Sequence, residues 1–103
     1  MTEERTMEKE VLFDFVHTLS LGNPGALVFV MELLAVEDSA SRDRNITALK
    51  RMDVLGIRGP KLYMLWNDCC DRDAEKAVNV MLNKSAHELN YALLGGRGAP
   101  FRD

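Results

Sequence analysis

The chain has 103 residues, of which 47% are apolar, so it can bury the core of one domain but is too short for two ordinary domains. Its 13 basic and 16 acidic residues give a formal net charge of −3, which excludes a general attraction to nucleic acids or anionic membranes. The charge is uneven, because residues 1–38 hold two basic and eight acidic groups, whereas residues 39–67 hold six and two.

The first ten residues, "MTEERTMEKE", are acidic and lack the basic start and apolar stretch of a secretory signal peptide. The longest apolar run, Ala26 to Val36, is interrupted by Glu32 and is too short to cross a bilayer. These features predict a soluble, cytoplasmic protein that does not bind membranes.

A first helix is predicted over residues 7–21, because apolar residues recur there at spacings of three and four. These residues are Val11, Leu12, Phe15, Val16 and Leu19. Asn23 is suited to cap a second helix, with Pro24 in its first position, and this helix is predicted to end near Val36. It is apolar nearly all round, which predicts that it is the buried centre of the domain. Val28, Phe29 and Val30 also suit a buried strand, but the capping signals and the length of the run favour the helix.

The polar stretch from Glu37 to Arg44 is predicted to be a loop. Asn45 is suited to cap a third helix that ends at Leu55. Gly56 fits the left-handed position after a helix, and Ile57 would provide the apolar contact that follows it.

A fourth helix is predicted from Pro60 to Cys70, with one apolar face formed by Leu62, Leu65, Trp66 and Cys69. Asp71 or Asp73 would cap a fifth helix ending near Asn83, whose apolar stripe is Ala74, Ala77, Val78, Met81 and Leu82. The stretch from Ser85 to Glu88 has the pattern of a capping box and predicts a last helix ending near Leu94.

These elements predict an all-α protein with five to six short helices in an orthogonal or irregular bundle. A single domain is expected over residues 1–94, followed by a flexible tail over residues 95–103, which begins with two glycines.

The third and fourth helices and the turn between them have the packing pattern of a helix-turn-helix DNA-binding motif. Four basic residues near this turn are candidate phosphate contacts: Lys50, Arg51, Arg58 and Lys61. The exposed face of the fourth helix would offer Lys61, Met64, Asn67 and Asp68, and Asp68 has the wrong charge for phosphates. An ordinary corner between two helices explains the same glycines and proline.

The paired cysteines, Cys69 and Cys70, lack the spacing and the partners of a zinc site. Cys69 is predicted to be a core residue and Cys70 to be partly covered, with a thiol pKa raised by Asp68 and Asp71. The neighbouring carboxylates, which include Asp73 and Glu75, suit helix capping better than a metal or catalytic site. His17 and His87 are isolated in the sequence, and Trp66 is expected in the core with Tyr63 at its edge. No catalytic residue, cofactor, metal or small-molecule ligand is therefore predicted.

The stretch "LGIRGPKLYMLWNDCCDRD" resembles a group of small uncharacterised proteins from bacteria and their prophages or other mobile elements. The resemblance is carried by a fifth of the chain, at Gly56, Ile57, Gly59, Tyr63, Trp66, Asp68 and Cys69. It implies a bacterial, cytoplasmic setting, and because the group has no established activity it assigns no role to any residue.

The leading functional hypothesis is a non-catalytic domain that acts through protein–protein contacts, including self-association. The second helix and the six methionines hold more apolar surface than a small bundle readily hides. The alternative is nucleic-acid binding through residues 45–67, and an enzyme is the least supported class.

Overall fold

The computed structural model of the protein describes residues 13–94, and every regular element in this range is helical. The elements are α1 (described over residues 13–20), α2 (Pro24–Leu34), α3 (Ser39–Leu55), α4 (Pro60–Met64), α5 (Ala74–Asn83) and α6 (Ala86–Ala92). A π-helical turn, Leu65–Cys69, continues directly from α4. The prediction of an all-α fold is confirmed, and no helix within residues 13–94 is long and apolar enough to cross a membrane.

Helix starts were predicted well where one side chain caps the helix locally. The side chain of Asn23 accepts a hydrogen bond from the Ala26 amide at 2.9 Å, and Pro24 follows in the first turn of α2. Both halves of the capping box at Ser85–Glu88 are present. Of the two candidate caps for α5, Asp73 is the one that accepts from the helix, at 3.1 Å.

The predicted loop at Glu37–Arg44 is wrong, because α3 begins six residues before Asn45, at Ser39. Asp38 caps α3, its side chain accepting an amide hydrogen bond at 2.9 Å. Asn45 lies buried inside α3 and donates a side-chain hydrogen bond of 2.9 Å to the Leu33 carbonyl in the last turn of α2. Its amide therefore links two helices instead of starting one.

Helix α2 is half in the core and half on the surface, which corrects the prediction that it is the buried centre. Its buried face consists of Ala26, Phe29, Val30 and Leu33. The other face is open to solvent, with Val28 57% and Met31 54% exposed. The indole of Trp66 stacks on the Phe29 ring at 5.0 Å between centroids, so the core side of α2 packs against the segment after α4.

The turn between α3 and α4 packs against the turn between α1 and α2. Gly56 has the predicted left-handed conformation, with φ 76°, and Ile57 is fully buried. The amide of Gly59 donates a hydrogen bond of 2.6 Å to the Leu19 carbonyl. Gly59 combines a φ of 57° with a position where an added Cβ would lie 3.0 Å from the Cβ of Leu21, so both backbone and space require glycine.

The fourth helix was predicted as one α-helix over Pro60–Cys70, but its second half is the π-helical turn. A π turn closes its hydrogen bond over one more residue than an α turn. The wider turn places four residues in the core: Leu65, Trp66, Cys69 and Cys70. After Cys70 the chain turns at Asp71 and Arg72, two consecutive non-glycine residues with positive φ.

Candidate functional site

An open apolar groove lies between α1 and α2, with a volume of about 630 Å³. It is lined by Phe13, Val16, His17, Ser20, Gly22, Leu27, Met31, Leu34 and Ala35. We call this surface the α1–α2 groove. Its lining is apolar apart from His17 and the Ser20 hydroxyl, which donates a hydrogen bond to the His17 carbonyl at 3.3 Å.

The groove exists because α2 carries two apolar stripes. The buried stripe faces α3 and the α4 segment, by which we mean α4 together with the π-helical turn (residues 60–69). Leu27, Met31 and Leu34 follow the i, i+4, i+7 spacing of a second face. Met31 is 54% exposed and Phe13, on the α1 side, is 73% exposed. An apolar surface of this kind on a small domain is typical of an interaction site.

The segment from Phe13 to Ser41, which supplies every residue that lines the α1–α2 groove, is acidic. No lysine or arginine occurs from Phe13 to Ser41, whereas this stretch contains four carboxylates. Asp14, Glu32, Glu37 and Asp38 are all exposed. Arg42 is the first basic residue after the groove, and its guanidinium donates to the Val36 carbonyl at 3.1 Å, just beyond the end of α2. None of these carboxylates lines the groove, and Glu32 lines a separate pocket together with Arg44 and Glu75.

The four basic residues predicted to contact nucleic acid are divided between internal bonds and solvent. Arg51 donates to the Met81 carbonyl in α5 at 2.6 Å. Arg58 forms an ion pair with the Asp53 carboxylate at 2.7 Å and also donates to the Asp53 carbonyl. Lys50 and Lys61 are exposed. Nucleic-acid binding through this segment stays a prediction, and it would depend mainly on the two lysines.

The α4 segment presents little that could read a groove of DNA. Its predicted core face is confirmed, since Leu62, Leu65, Trp66 and Cys69 are all buried. Lys61 and Asp68 are exposed, whereas Tyr63 and Met64 are half-buried. The α-helical part is only five residues long before the π turn begins.

A polar and aromatic cluster closes the π turn, and the sequence did not indicate it. The Arg72 guanidinium lies 5.0 Å from the centroid of the Trp66 ring and donates to Asn67 and to the Tyr63 hydroxyl. The backbone amide of Arg72 donates to the Trp66 carbonyl at 2.8 Å. The indole Nε1 of Trp66 is buried without a hydrogen-bond partner among the described residues. These contacts depend on the left-handed backbone conformation of Arg72, which the sequence pattern does not predict.

Both cysteines are buried and not disulfide-bonded, which corrects the expectation that Cys70 is only partly covered. Burial raises the pKa of the Cys69 thiol to about 11 and that of the Cys70 thiol to about 12. The predicted direction for Cys70 is confirmed, but burial has the largest effect, and the aspartates that raise this pKa are Asp73 and Asp71, whereas Asp68 acts on Cys69. Such thiols are poor nucleophiles at neutral pH.

The raised thiol pKa values predict a loss of stability in alkaline solution. In the unfolded chain the thiols ionise near their ordinary pKa of 9.0, whereas in the folded protein they stay protonated to about pH 11 to 12. The contribution of the protonated thiols to the free energy of unfolding is complete below about pH 9. It is lost as the pH rises through the pKa values of the folded state. Urea unfolding at pH 7, 9 and 10.5 should show a steeper decline for the wild type than for the Cys69→Ala/Cys70→Ala variant. Equal slopes would contradict this expectation.

Other titratable groups in the described range do not converge. No group of three or more His, Cys, Asp or Glu side chains within residues 13–94 is arranged to hold a metal ion. His17 lies in the α1–α2 groove, and His87 is exposed on α6.

The sequence indicated an excess of apolar surface but not where it lies. The excess was visible in α2, where apolar residues occupy positions all round the helix. Periodicity alone cannot tell which of two apolar faces is covered by the rest of the fold. Comparison of the chain with known protein families, with curated protein sequences and with solved structures finds no significant match in any of the three.

Proposed function

We propose that this protein is a non-catalytic protein-binding domain and that the α1–α2 groove is its contact surface. The observation that carries the proposal is the exposed apolar surface of α2 at Leu27 and Met31, which faces the groove instead of the core. Burying exposed apolar surface is the main favourable term in protein association, at roughly 25 cal/mol per Å² removed from water.

The position of the groove supports binding by a preformed surface. Both helices that line the groove are held by contacts on their other sides. The Phe29 ring of α2 stacks on Trp66, and the Leu19 carbonyl of α1 accepts a hydrogen bond from the Gly59 amide. A rigid groove loses little conformational entropy when a partner binds, and this favours affinity.

The direct test places a charge in the groove. A synthetic peptide that forms an amphipathic helix, with a leucine stripe and an uncharged glutamine face, serves as the probe. We expect it to bind the wild type, and we expect Met31→Asp to weaken binding at least about tenfold, because a carboxylate in an apolar contact must be desolvated. Fluorescence anisotropy of the labelled peptide measures the dissociation constant.

Val54→Asp is the matched control, since Val54 is 84% exposed on α3 and does not line the groove. Its affinity for the peptide should equal that of the wild type, and circular dichroism should show both variants folded. The proposal fails if the peptide does not bind or if the two variants bind it equally well.

A further inference from the structure

We propose that a cleft between α2, α3 and α5 binds a primary ammonium group carried on a short aliphatic chain. The cleft has a volume of about 440 Å³ and shares no lining residue with the α1–α2 groove. The proposal therefore goes beyond the proposed function, and neither depends on the other. We call this surface the α2–α3–α5 cleft.

Contacts between the helices fix the shape of the α2–α3–α5 cleft. The Asn45 side chain joins α3 to the end of α2 through its hydrogen bond to the Leu33 carbonyl. The Arg44 guanidinium joins α3 to α5, since it donates a hydrogen bond to Oδ1 of Asn79. A cleft that is held on both sides needs little rearrangement when a ligand enters, and this favours affinity.

The floor of the cleft holds a hydrogen-bond acceptor on Asn45, which lines the cleft and is only 7% exposed. Because the Leu33 carbonyl can only accept, Nδ2 of Asn45 faces it and Oδ1 lies on the other side of the amide group. This Oδ1 accepts no hydrogen bond from the residues that the structure describes. It is not sealed from solvent, because Trp66 Nε1 is the one buried side-chain polar atom without a partner in that part of the chain. The oxygen is therefore open to a donor that enters the cleft.

Two carboxylates supply further acceptors at the rim of the cleft. Glu32 on α2 and Glu75 on α5 both line it and are exposed. Neither carboxylate takes part in an ion pair or a side-chain hydrogen bond among residues 13–94. Together with Oδ1 of Asn45 they form three acceptor groups, and a primary ammonium has three donors and no acceptor. The charge and the hydrogen-bonding pattern of the lining therefore match this group.

The walls of the cleft suit the carbon chain of an organic amine. They are apolar and consist of Leu33, Val36, Ala74 and Val78. An alkyl chain that lies against these side chains leaves water, which is favourable. A metal ion would gain nothing from them, and in the described range no group of three or more His, Cys, Asp or Glu side chains is arranged to hold one. The lining therefore favours an aliphatic ammonium over a metal ion.

Arg44 carries the opposing charge of the cleft, as the single cation among the residues that line it. Replacing it by glutamine keeps a hydrogen-bond donor for Asn79 and removes the repulsion of a bound ammonium. We expect Arg44→Gln to bind an ammonium ligand about threefold more tightly than the wild type. Weaker binding in this variant would show that the cleft selects an anion and would overturn the proposal.

The main experiment titrates the protein with isopentylammonium and follows the amide shifts by nuclear magnetic resonance. We expect this amine to bind at least about tenfold more tightly than isopentanol, which has the same carbon chain but no charge, since hydrogen bonds to charged groups are the stronger ones. The largest shifts should occur at the side-chain amide of Asn45 and at backbone amides near Glu32 and Glu75.

Removal of charge tests the two carboxylates. The Glu32→Gln/Glu75→Gln variant should bind isopentylammonium at least about fivefold more weakly, because it lacks both charged acceptors. Asp43→Asn is the matched control, since Asp43 is exposed on α3 and does not line the cleft. We expect this control to keep its affinity within about twofold, because a distant exposed charge is screened by salt. Circular dichroism should show that all the variants are folded.

A blocked lysine, Nα-acetyl-lysine methylamide, distinguishes the source of the ammonium group. Tighter binding of the blocked lysine than of isopentylammonium identifies a lysine side chain of another protein, whereas the reverse order identifies a free amine, and both results support the proposal. Three results would each overturn it: no binding of either ammonium probe, equal binding of isopentanol, or an unchanged affinity in the double variant. The amphipathic peptide binds at the other surface, so the proposed function is tested separately.

Discussion

Replacing Phe29 by alanine is expected to lower the free energy of unfolding by about 3–5 kcal/mol, the usual cost of removing a buried phenylalanine. The Phe29 side chain is fully buried and stacks on the Trp66 ring at 5.0 Å, with 17° between the ring planes. Its removal leaves a cavity between α2 and the π turn and removes an aromatic contact worth a further fraction of a kcal/mol. A domain of this size has only about 5–15 kcal/mol in total, so the variant should lose a large share of its stability.

Urea unfolding followed by circular dichroism measures this effect. Val28→Ala is the matched control, since Val28 is the preceding residue in α2 and is 57% exposed. We expect the control to change the free energy of unfolding by about 0.5 kcal/mol or less. If the two variants lose similar stability, the assignment of the core face of α2 is wrong.

Gly25→Ala is expected to destabilise the protein by about 1–3 kcal/mol, the cost of forcing extra volume into a packed contact. An added Cβ at Gly25 would lie 2.3 Å from the Cδ1 carbon of the Tyr63 ring, far inside van der Waals contact. The ring would have to leave its place between Gly25 and Trp66 and break its contact with the Arg72 guanidinium.

The sign of this effect can be reversed by a second substitution. Gly25 lies in the first turn of α2 and has no positive φ, so alanine at this position should itself favour the helix by up to about 1 kcal/mol. In a Tyr63→Ala background, where the clash is absent, Gly25→Ala should therefore stabilise the protein. A double-mutant cycle measures the coupling, and additive effects of the two substitutions would show that the ring does not contact Gly25.

The elements that could be predicted from the sequence depend on nearest neighbours. Asn23, the Ser85–Glu88 box and Gly56 each satisfy or end a helix within a few residues, so their local chemistry decides the outcome. The helical stripe of the α4 segment was likewise correct, because Leu62 and Trp66 follow the spacing of one buried face.

The errors arose where a distant contact decides between local alternatives. Asp38 and Asn45 are both good caps, and the sequence cannot show that the Asn45 amide is needed at the end of α2, 12 residues earlier. The cluster at Arg72 depends on an unfavourable left-handed backbone that no local pattern indicates. The α1–α2 groove was missed for a related reason. The hydrophobicity of α2 predicts that its apolar faces make contacts, but it does not show which face the rest of the fold covers. The resemblance carried by residues 56–69 assigns no activity and stays a prediction.

The placement of Trp66 has a practical consequence for experiments. It is the sole tryptophan of the chain, it is 5% exposed, and it rests on Phe29 on the core side of α2. Met31, two residues after Phe29 in α2, faces the opposite side of that helix. A ligand that shifts α2 would alter the environment of the indole without touching it, whereas a ligand that leaves α2 in place would not. The intrinsic fluorescence of Trp66 in the unlabelled protein can therefore distinguish a groove that changes shape when a ligand binds from a groove that is preformed.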